Sequence, residues 1–384
     1  MRENRKYLCK WLDEAEKIAS DMKSRAKKEG GLSIFTISST IKGQGSLVPY
    51  LTPVRRIAHG FIGGSVVFSQ TQAILLSRRI DGLVDDILID AEKKIGIHFG
   101  VDTELLKYFG LKLPPAKKNA RVNVELGNLS VACEPHIEKS SFQEYKPNDV
   151  TVESVWQFLS NRYRTLSGKR IAVVGSGNIG FKLALKLVES GCHVELVRRD
   201  LWRGTLMSDV INIVKPESTI AIAHYNPNPL QATLFCDAII GCTNGIPVIT
   251  WAMIQSMKAD GIIIDVGKGC VFKDAARNAI KKDIPIIRCD ITSAIDGLIS
   301  TIKRTQVILN QEMGRAAIVN NIFVVSGGFL GLLGDIVVDN YRMPSKIIGV
   351  ADGAGDFIKK LSGSDLKRIA AVKKVIVRSK YVKA

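Results

Sequence analysis

Three glycines spaced Gly175-x-Gly177-x-x-Gly180, within the run Lys169-Arg-Ile-Ala-Val-Val-Gly-Ser-Gly-Asn-Ile-Gly-Phe181, are suited to holding a diphosphate. The first glycine permits a tight turn. The second lets backbone amides approach pyrophosphate oxygens, and the third lets the next helix lie close to the strand. Amides at a helix start, with the helix dipole behind them, then meet the negative charge. Gly175, Ser176, Gly177, Asn178, Ile179 and Gly180 are therefore the candidate phosphate-binding residues. The flanking residues agree with this reading. Ile171 to Val174 form an apolar strand, Ile179, Leu183, Ala184, Leu187 and Val188 recur at helical spacing, and His193 to Val197 reads as a second strand after Ser190-Gly191. Together they make a β-α-β unit for a dinucleotide.

The end of the second strand decides which dinucleotide. An acidic residue there would accept the ribose 2′-hydroxyl and repel a 2′-phosphate. This chain has Arg198 and Arg199, whose guanidinium forks match phosphate oxygens in charge and geometry, so NADP is the expected cofactor. Asp200 follows, and could face the ribose or pair with Arg199 or Arg203.

Further along, Thr219 to Ala223, Ala238 to Gly241, Ile262 to Val266 and Ile284 to Arg288 read as strands, with helices at Thr250 to Met257 and Lys273 to Lys281. Short apolar strands alternating with helices predict an α/β fold, a doubly wound parallel sheet covered on both faces. Ligands of such sheets lie beyond the carboxyl ends of the strands. Thr243, Asn244 and Gly245 after one strand, and Val266 and Gly267 after the next, are candidates for the nicotinamide end of the cofactor. Lys268 could neutralise a substrate carboxylate, donate a proton, or sit in solvent.

Residues 1 to 150 carry no nucleotide motif and read as a smaller α/β substrate domain. Its predicted helices are Arg5 to Lys28 and Gln70 to Arg79. Its predicted strands are Leu32 to Ile37, Ile87 to Asp90, Val122 to Leu126 and Leu129 to Ala132, with a loop from Leu113 to Asn119. Lys42-Gly-Gln-Gly45, with Arg55, Arg56 and His59 among Gly60, Gly63 and Gly64, is either an anion-recognising patch or a set of solvated turns. Asp85, Asp86 and Asp90 read as surface charges. A connecting helix is expected over 151–168, capped by Asp149 or Thr151. The NADP domain is expected over 169–335, helical from Ile295 to about Arg315, with a basic helical extension over 336–384.

The composition fits these divisions. A chain of 384 residues with 46% apolar and 24% charged residues suits more than one folded core. Seven scattered cysteines read as reduced thiols of a cytoplasmic protein, and neither they nor the five histidines have metal-ligand spacing. The start of the chain reads as an amphipathic helix rather than a secretory signal. The longest uncharged apolar run, Ile322 to Gly334, is too short to span a bilayer and reads as buried. The net charge is +17, and from Lys359 onward Asp365 is the single acid. That tail could draw nucleic acid or a membrane, but its Ile369, Val372 and Ile376 favour a docked helix with solvated lysines.

The run Thr151-Val-Glu-Ser-Val-Trp-Gln-Phe-Leu-Ser-Asn-Arg-Tyr-Arg-Thr-Leu-Ser-Gly-Lys169 resembles the inter-domain helix of methylenetetrahydrofolate dehydrogenase/cyclohydrolase. Thr243-Asn-Gly-Ile-Pro247 and Ile263-Ile-Asp-Val-Gly267 are similar to the turns after that family's fourth and fifth strands, and Ser326-Gly-Gly-Phe-Leu-Gly331 to its late glycine loop. Val197-Arg198-Arg199 is similar in part to the NADP motif of shikimate dehydrogenases. The resemblance implies an amino-acid-dehydrogenase-like enzyme with a substrate domain facing an NADP domain. Residues 1 to 145 have no counterpart of either family's catalytic pair, so the cofactor residues carry over and the catalytic ones do not. Lys268 and Thr151 are the candidates for roles in the cleft. The expected function is NADP-dependent hydride transfer to or from a small, anionic carbonyl, imine or hydroxyl substrate, by a homo-oligomer. The alternative is an NADP-binding sensor or interaction protein that uses the basic tail.

Overall fold

Runs such as Ile171 to Val174 are apolar at every position, as strands covered on both faces must be, and they form the centre of a six-stranded parallel sheet. The computed structural model describes residues 2–40, 48–92, 129–319 and 321–381. The chain divides into two units, Met1–Gly297 and Leu298–Ala384.

The first unit opens with α1 (Arg2–Glu29), followed by β1 (Leu32–Ser39), β2 (Tyr50–Ile57), β3 (Gly60–Val67), α2 (Gln70–Ile80), β4 (Asp86–Asp90), α3 (Leu129–Cys133) and β5 (Ser141–Tyr145). The sheet order is β2-β3-β1-β4-β5, with β2 antiparallel to β3 and the other pairs parallel. Trp11, Ala15, Ala19 and Met22 of α1 share a core with Phe35, Ile37, Ile87 and Ile89. Ser69 caps α2 by accepting from the Gln72 amide.

Several sequence expectations are corrected here. The glycine and arginine run belongs to β2 and β3. Arg55 pairs with Asp290 at 3.1 Å and Arg56 with Glu29 at 3.0 Å, so both guanidinium groups are used in ion pairs. A Cβ at Gly60 would lie 2.1 Å from Leu32 O and one at Gly64 2.4 Å from Thr36 O, so these glycines serve the close approach of β3 to β1. Asp86 and Asp90 are buried rather than surface charges, and Asp90 accepts from the amide and hydroxyl of Ser39. Leu129–Cys133 is helical because Leu129 and Cys133, four apart, face the core together. Lys42 to Gly45, Leu113 to Asn119 and Val122 to Leu126 lie outside the described residues.

The second sheet follows α4 (Pro147–Tyr163), which starts before Thr151. Proline fits its first turn, and neither Asp149 nor Thr151 caps it. Then come β6 (Arg170–Val174), α5 (Asn178–Glu189), β7 (His193–Val197), α6 (Leu201–Val214), β8 (Ala223–Tyr225), β9 (Ala238–Gly241), α7 (Trp251–Ser256), β10 (Ile262–Asp265), α8 (Lys273–Lys281), β11 (Ile286–Arg288) and α9 (Thr292–Val307). The order β11-β10-β9-β6-β7-β8 is that of the doubly wound dinucleotide fold, reversing direction between β6 and β9. The third strand lies later than Thr219 to Ala223 because pairing with β7 begins at Val194 and Ala223.

Asp237 anchors the amino ends of this sheet. It is 2% exposed, and accepts from the Arg170 amide at 2.9 Å, Lys258 Nζ at 2.9 Å and Lys169 Nζ at 3.2 Å. Burial alone would raise its pKa, but these donors outweigh burial and hold it below the usual carboxylate value. A lowered folded pKa stabilises above the unfolded pKa and is lost as pH falls through the folded value. Asp237→Ala is expected to cost about 2 kcal/mol at neutral pH, with the difference from wild type narrowing in acid. Urea unfolding over a pH series checks this.

The second unit is built differently from the expected helical continuation. After α9 the chain makes one wide turn, Ile308–Glu312, and then enters β12 (Gly314–Val319), β13 (Ile322–Ser326), β14 (Ile336–Val338), β15 (Ile347–Val350) and α10 (Gly363–Tyr381). The helix stops short of Arg315 because Gly314, at φ +156°, faces the Tyr341 ring where a Cβ would lie 2.8 Å away. Four strands in the order β12-β13-β14-β15 carry α10, whose Val372 and Ile376 pack on Val324, Ile336, Val338 and Val350. The basic extension is thus helical only from Gly363 onward. Ile322 to Gly334 is buried at Val324 to Ser326 and at Gly331 and Gly334, while Leu330 and Leu333 are 69% and 71% exposed. Among the described residues no helix is long and apolar enough to cross a membrane.

Candidate functional site

From the end of β6 into the first turn of α5, the chain itself requires glycine at two of the three positions. Gly175 adopts φ +101°, and a Cβ there would lie 2.8 Å from Cys242 C and Thr243 N. At Gly180 a Cβ would lie 2.2 Å from Gly175 O, so the helix could not sit against the turn. Gly177, the N-cap of α5, has φ −81°, and a Cβ there would meet nothing within 4 Å among the described residues. Neither backbone conformation nor packing among the described residues requires glycine at 177.

The turns after β9 and β10 close against this one. Cys242 N donates to Val174 O at 2.7 Å, and Gly267 N to Gly241 O at 2.9 Å. A Cβ at Gly267 would lie 2.0 Å from Thr243 O. The buried Asp265 carboxylate accepts from Gly269 N at 2.7 Å and Cys270 N at 3.0 Å, so Lys268 is held on a tight turn at φ +56° with its side chain exposed. The fold therefore gathers the 175–180, 243–245 and 266–268 residues at the carboxyl ends of β6, β9 and β10. Burial raises the pKa of the Cys242, Cys270 and Cys289 thiols, the last to about 11, which leaves them as packing groups rather than nucleophiles.

Arg198, at the end of β7, turns back over the glycine segment. Its Nη1 donates to Ser176 O, and the Tyr225 hydroxyl donates to Arg198 O at 3.0 Å. Arg199 is exposed. Asp200 caps α6, accepting from Arg203 N at 3.0 Å, and lies 3.6 Å from the Arg203 guanidinium. Among the described residues, Ser176 Oγ and Arg198 Nε are buried without a hydrogen-bond partner. Two unsatisfied polar atoms beside one turn carry a cost that a bound polar group could relieve.

Thr151 is held one turn into α4, its hydroxyl donating to Pro147 O at 2.9 Å. A residue that sequence reasoning missed is Asn148. Its side chain donates to Asn178 Oδ1 at 3.2 Å and its amide to Glu92 Oε2 at 2.9 Å, tying the glycine helix to the region after β4. No local signal marks Asn148, because its partners are distant in sequence. Asp265 could have been found, since an aspartate at a strand end followed by Val-Gly-Lys-Gly is a turn-forming pattern.

No family model matches the chain, and no curated protein matches it. Similar solved structures include dipicolinate synthase, A chain, from Bacillus subtilis, 13% identical with a TM-score of 0.31, covering 72% of this chain and 96% of that one. L-tryptophan dehydrogenase from Nostoc punctiforme is 14% identical with a TM-score of 0.36, covering 71% and 74%. Ornithine carbamoyltransferase from Pyrococcus furiosus is 11% identical with a TM-score of 0.37, covering 76% and 92%.

Proposed function

We propose that the chain is an NADP-dependent oxidoreductase acting on a small anionic carbonyl, imine or hydroxyl compound. The observation that carries this reading is Gly177. Among the described residues nothing stands over this glycine, at the point where the strand order reverses, so its backbone is open to close approach by a ligand. The Ser176 to Asn178 amides at the start of α5 fit a diphosphate. Arg198, poised over the turn, and the exposed Arg199 fit a 2′-phosphate. Asp200, which would repel that phosphate if it faced the ribose, is engaged as a helix cap. The turns at 243–245 and 266–268 would flank the nicotinamide, and the exposed Lys268 is suited to an anionic substrate group. When bound, NADP supplies or accepts the hydride. The chain's part is to orient it and to hold substrate charge.

Calorimetry with NADPH and NADH tests the cofactor, with NADPH expected to bind more tightly by about tenfold or more. Following NADPH absorbance over a panel of keto acids and cyclic imines tests the chemistry. Uptake of neither nucleotide would reject the assignment. Tight binding with no turnover on any substrate would point instead to a sensor.

A further inference from the structure

The loop after β13 is the most exposed apolar segment of the second unit's turns. Phe329, Leu330, Leu332 and Leu333 are 48%, 69%, 62% and 71% exposed. The loop is nonetheless tightly held. Gly327, Gly328 and Gly334 take φ of +69°, +81° and +88°, turns that larger residues resist. Leu332 N donates to the Asp335 carboxylate at 2.9 Å, Gly334 N to Ala351 O at 2.8 Å, and Arg368 Nη1 to Gly334 O at 3.0 Å. A pinned loop that turns four large apolar side chains outward is a surface awaiting cover.

We propose that this face docks on an anionic lipid bilayer, with Phe329, Leu330, Leu332 and Leu333 entering the headgroup boundary beside the lysines of α10. Charge decides the occupant. The acids of the unit are engaged: Glu312 pairs with Arg304, Asp335 with Arg315 and Asp365 with Arg368, while Asp339, Asp352 and Asp356 accept backbone amides. Lys346, Lys359, Lys360, Lys367, Lys373 and Lys374 are exposed and, among the described residues, have no ion-pair partner. The bond from Arg368 to Gly334 sets the loop beside the first turns of α10, and Leu330 and Leu333 border Gly355 and Gly353, shortly before Lys359. A second copy would bring the same excess of cations against this unit and be repelled. An anionic bilayer attracts the lysines and accepts the apolar tips, the two signals that membrane-surface attachment requires.

The test is flotation of the full chain with phosphatidylcholine vesicles, and with vesicles of phosphatidylcholine and phosphatidylglycerol in equal parts. Binding to the mixed vesicles alone, weakened by salt, is expected. The Lys373→Ala, Lys374→Ala pair should weaken it about thirtyfold, and the Leu330→Ser, Leu333→Ser pair about tenfold or more. All four side chains are exposed, so circular dichroism should be unchanged, and Leu333→Ser and Lys374→Ala singly carry the same test if a pair misfolds. The proposal fails if mixed vesicles are not bound, or if the leucine pair has no effect on binding. It also fails if sedimentation shows self-association that the leucine pair abolishes, or if the lysine pair alone governs retention on DNA.

Discussion

Gly177→Ala is expected to weaken NADPH binding about a hundredfold while leaving the folded state nearly as stable as before. The added methyl group meets no atom of the described residues within 4 Å, and the backbone at φ −81° accepts alanine. The remaining penalty is that alanine is a poorer N-cap than glycine, at less than about 1 kcal/mol. All of the methyl group's steric effect therefore falls on whatever approaches the turn. Gly180→Ala is the control, because its Cβ would overlap Gly175 O, and destabilisation of about 2 kcal/mol or more is expected. Thermal unfolding and calorimetry on both variants separate the two kinds of glycine. Should Gly177→Ala bind NADPH as tightly as the parent, the diphosphate does not lie on this turn.

Arg198→Ala combined with Arg199→Ala is expected to lower NADPH affinity about a hundredfold, since two charge-assisted contacts to phosphate are lost. NADH affinity should change by less than about threefold, because the ribose of NADH has no 2′-phosphate for them to grip. The two arginines are not equivalent. Arg198 also holds Ser176 O, whereas Arg199 is exposed, so Arg198→Ala alone should also loosen the turn and reduce NADH binding slightly. Titration of both nucleotides against the single and double variants resolves these contributions. Equal losses for NADPH and NADH would leave Arg198 as a brace of the glycine turn and remove the basis for NADP over NAD.

Much of the six-stranded sheet was legible from residues close together in the chain. The strand before Gly175 and the helix after Asn178 each carry their own periodicity, and the glycine spacing reports a turn whose constraints are local. The place of the turns at 243–245 and 266–268 was legible for the same reason, since small residues just after apolar strands must lie at the carboxyl edge of a parallel sheet. The first 150 residues were harder to read. The glycines at 60 and 64 look like a loop in sequence, and only the approach of β1 reveals them as strand positions.

The sequence alone determined a parallel α/β sheet, a glycine turn at its centre and two cations after its second strand, because propensity, periodicity and glycine conformation act over a few neighbouring residues. Tertiary structure decided what those neighbours could not: that Asp200 serves a helix end, that Arg55 and Arg56 are engaged by Asp290 and Glu29, that Asp90 is buried, and that Leu330 and Leu333 face outward. The physical reason is that charge pairing and burial depend on partners brought together from far apart in the chain, and no local pattern specifies which partner arrives.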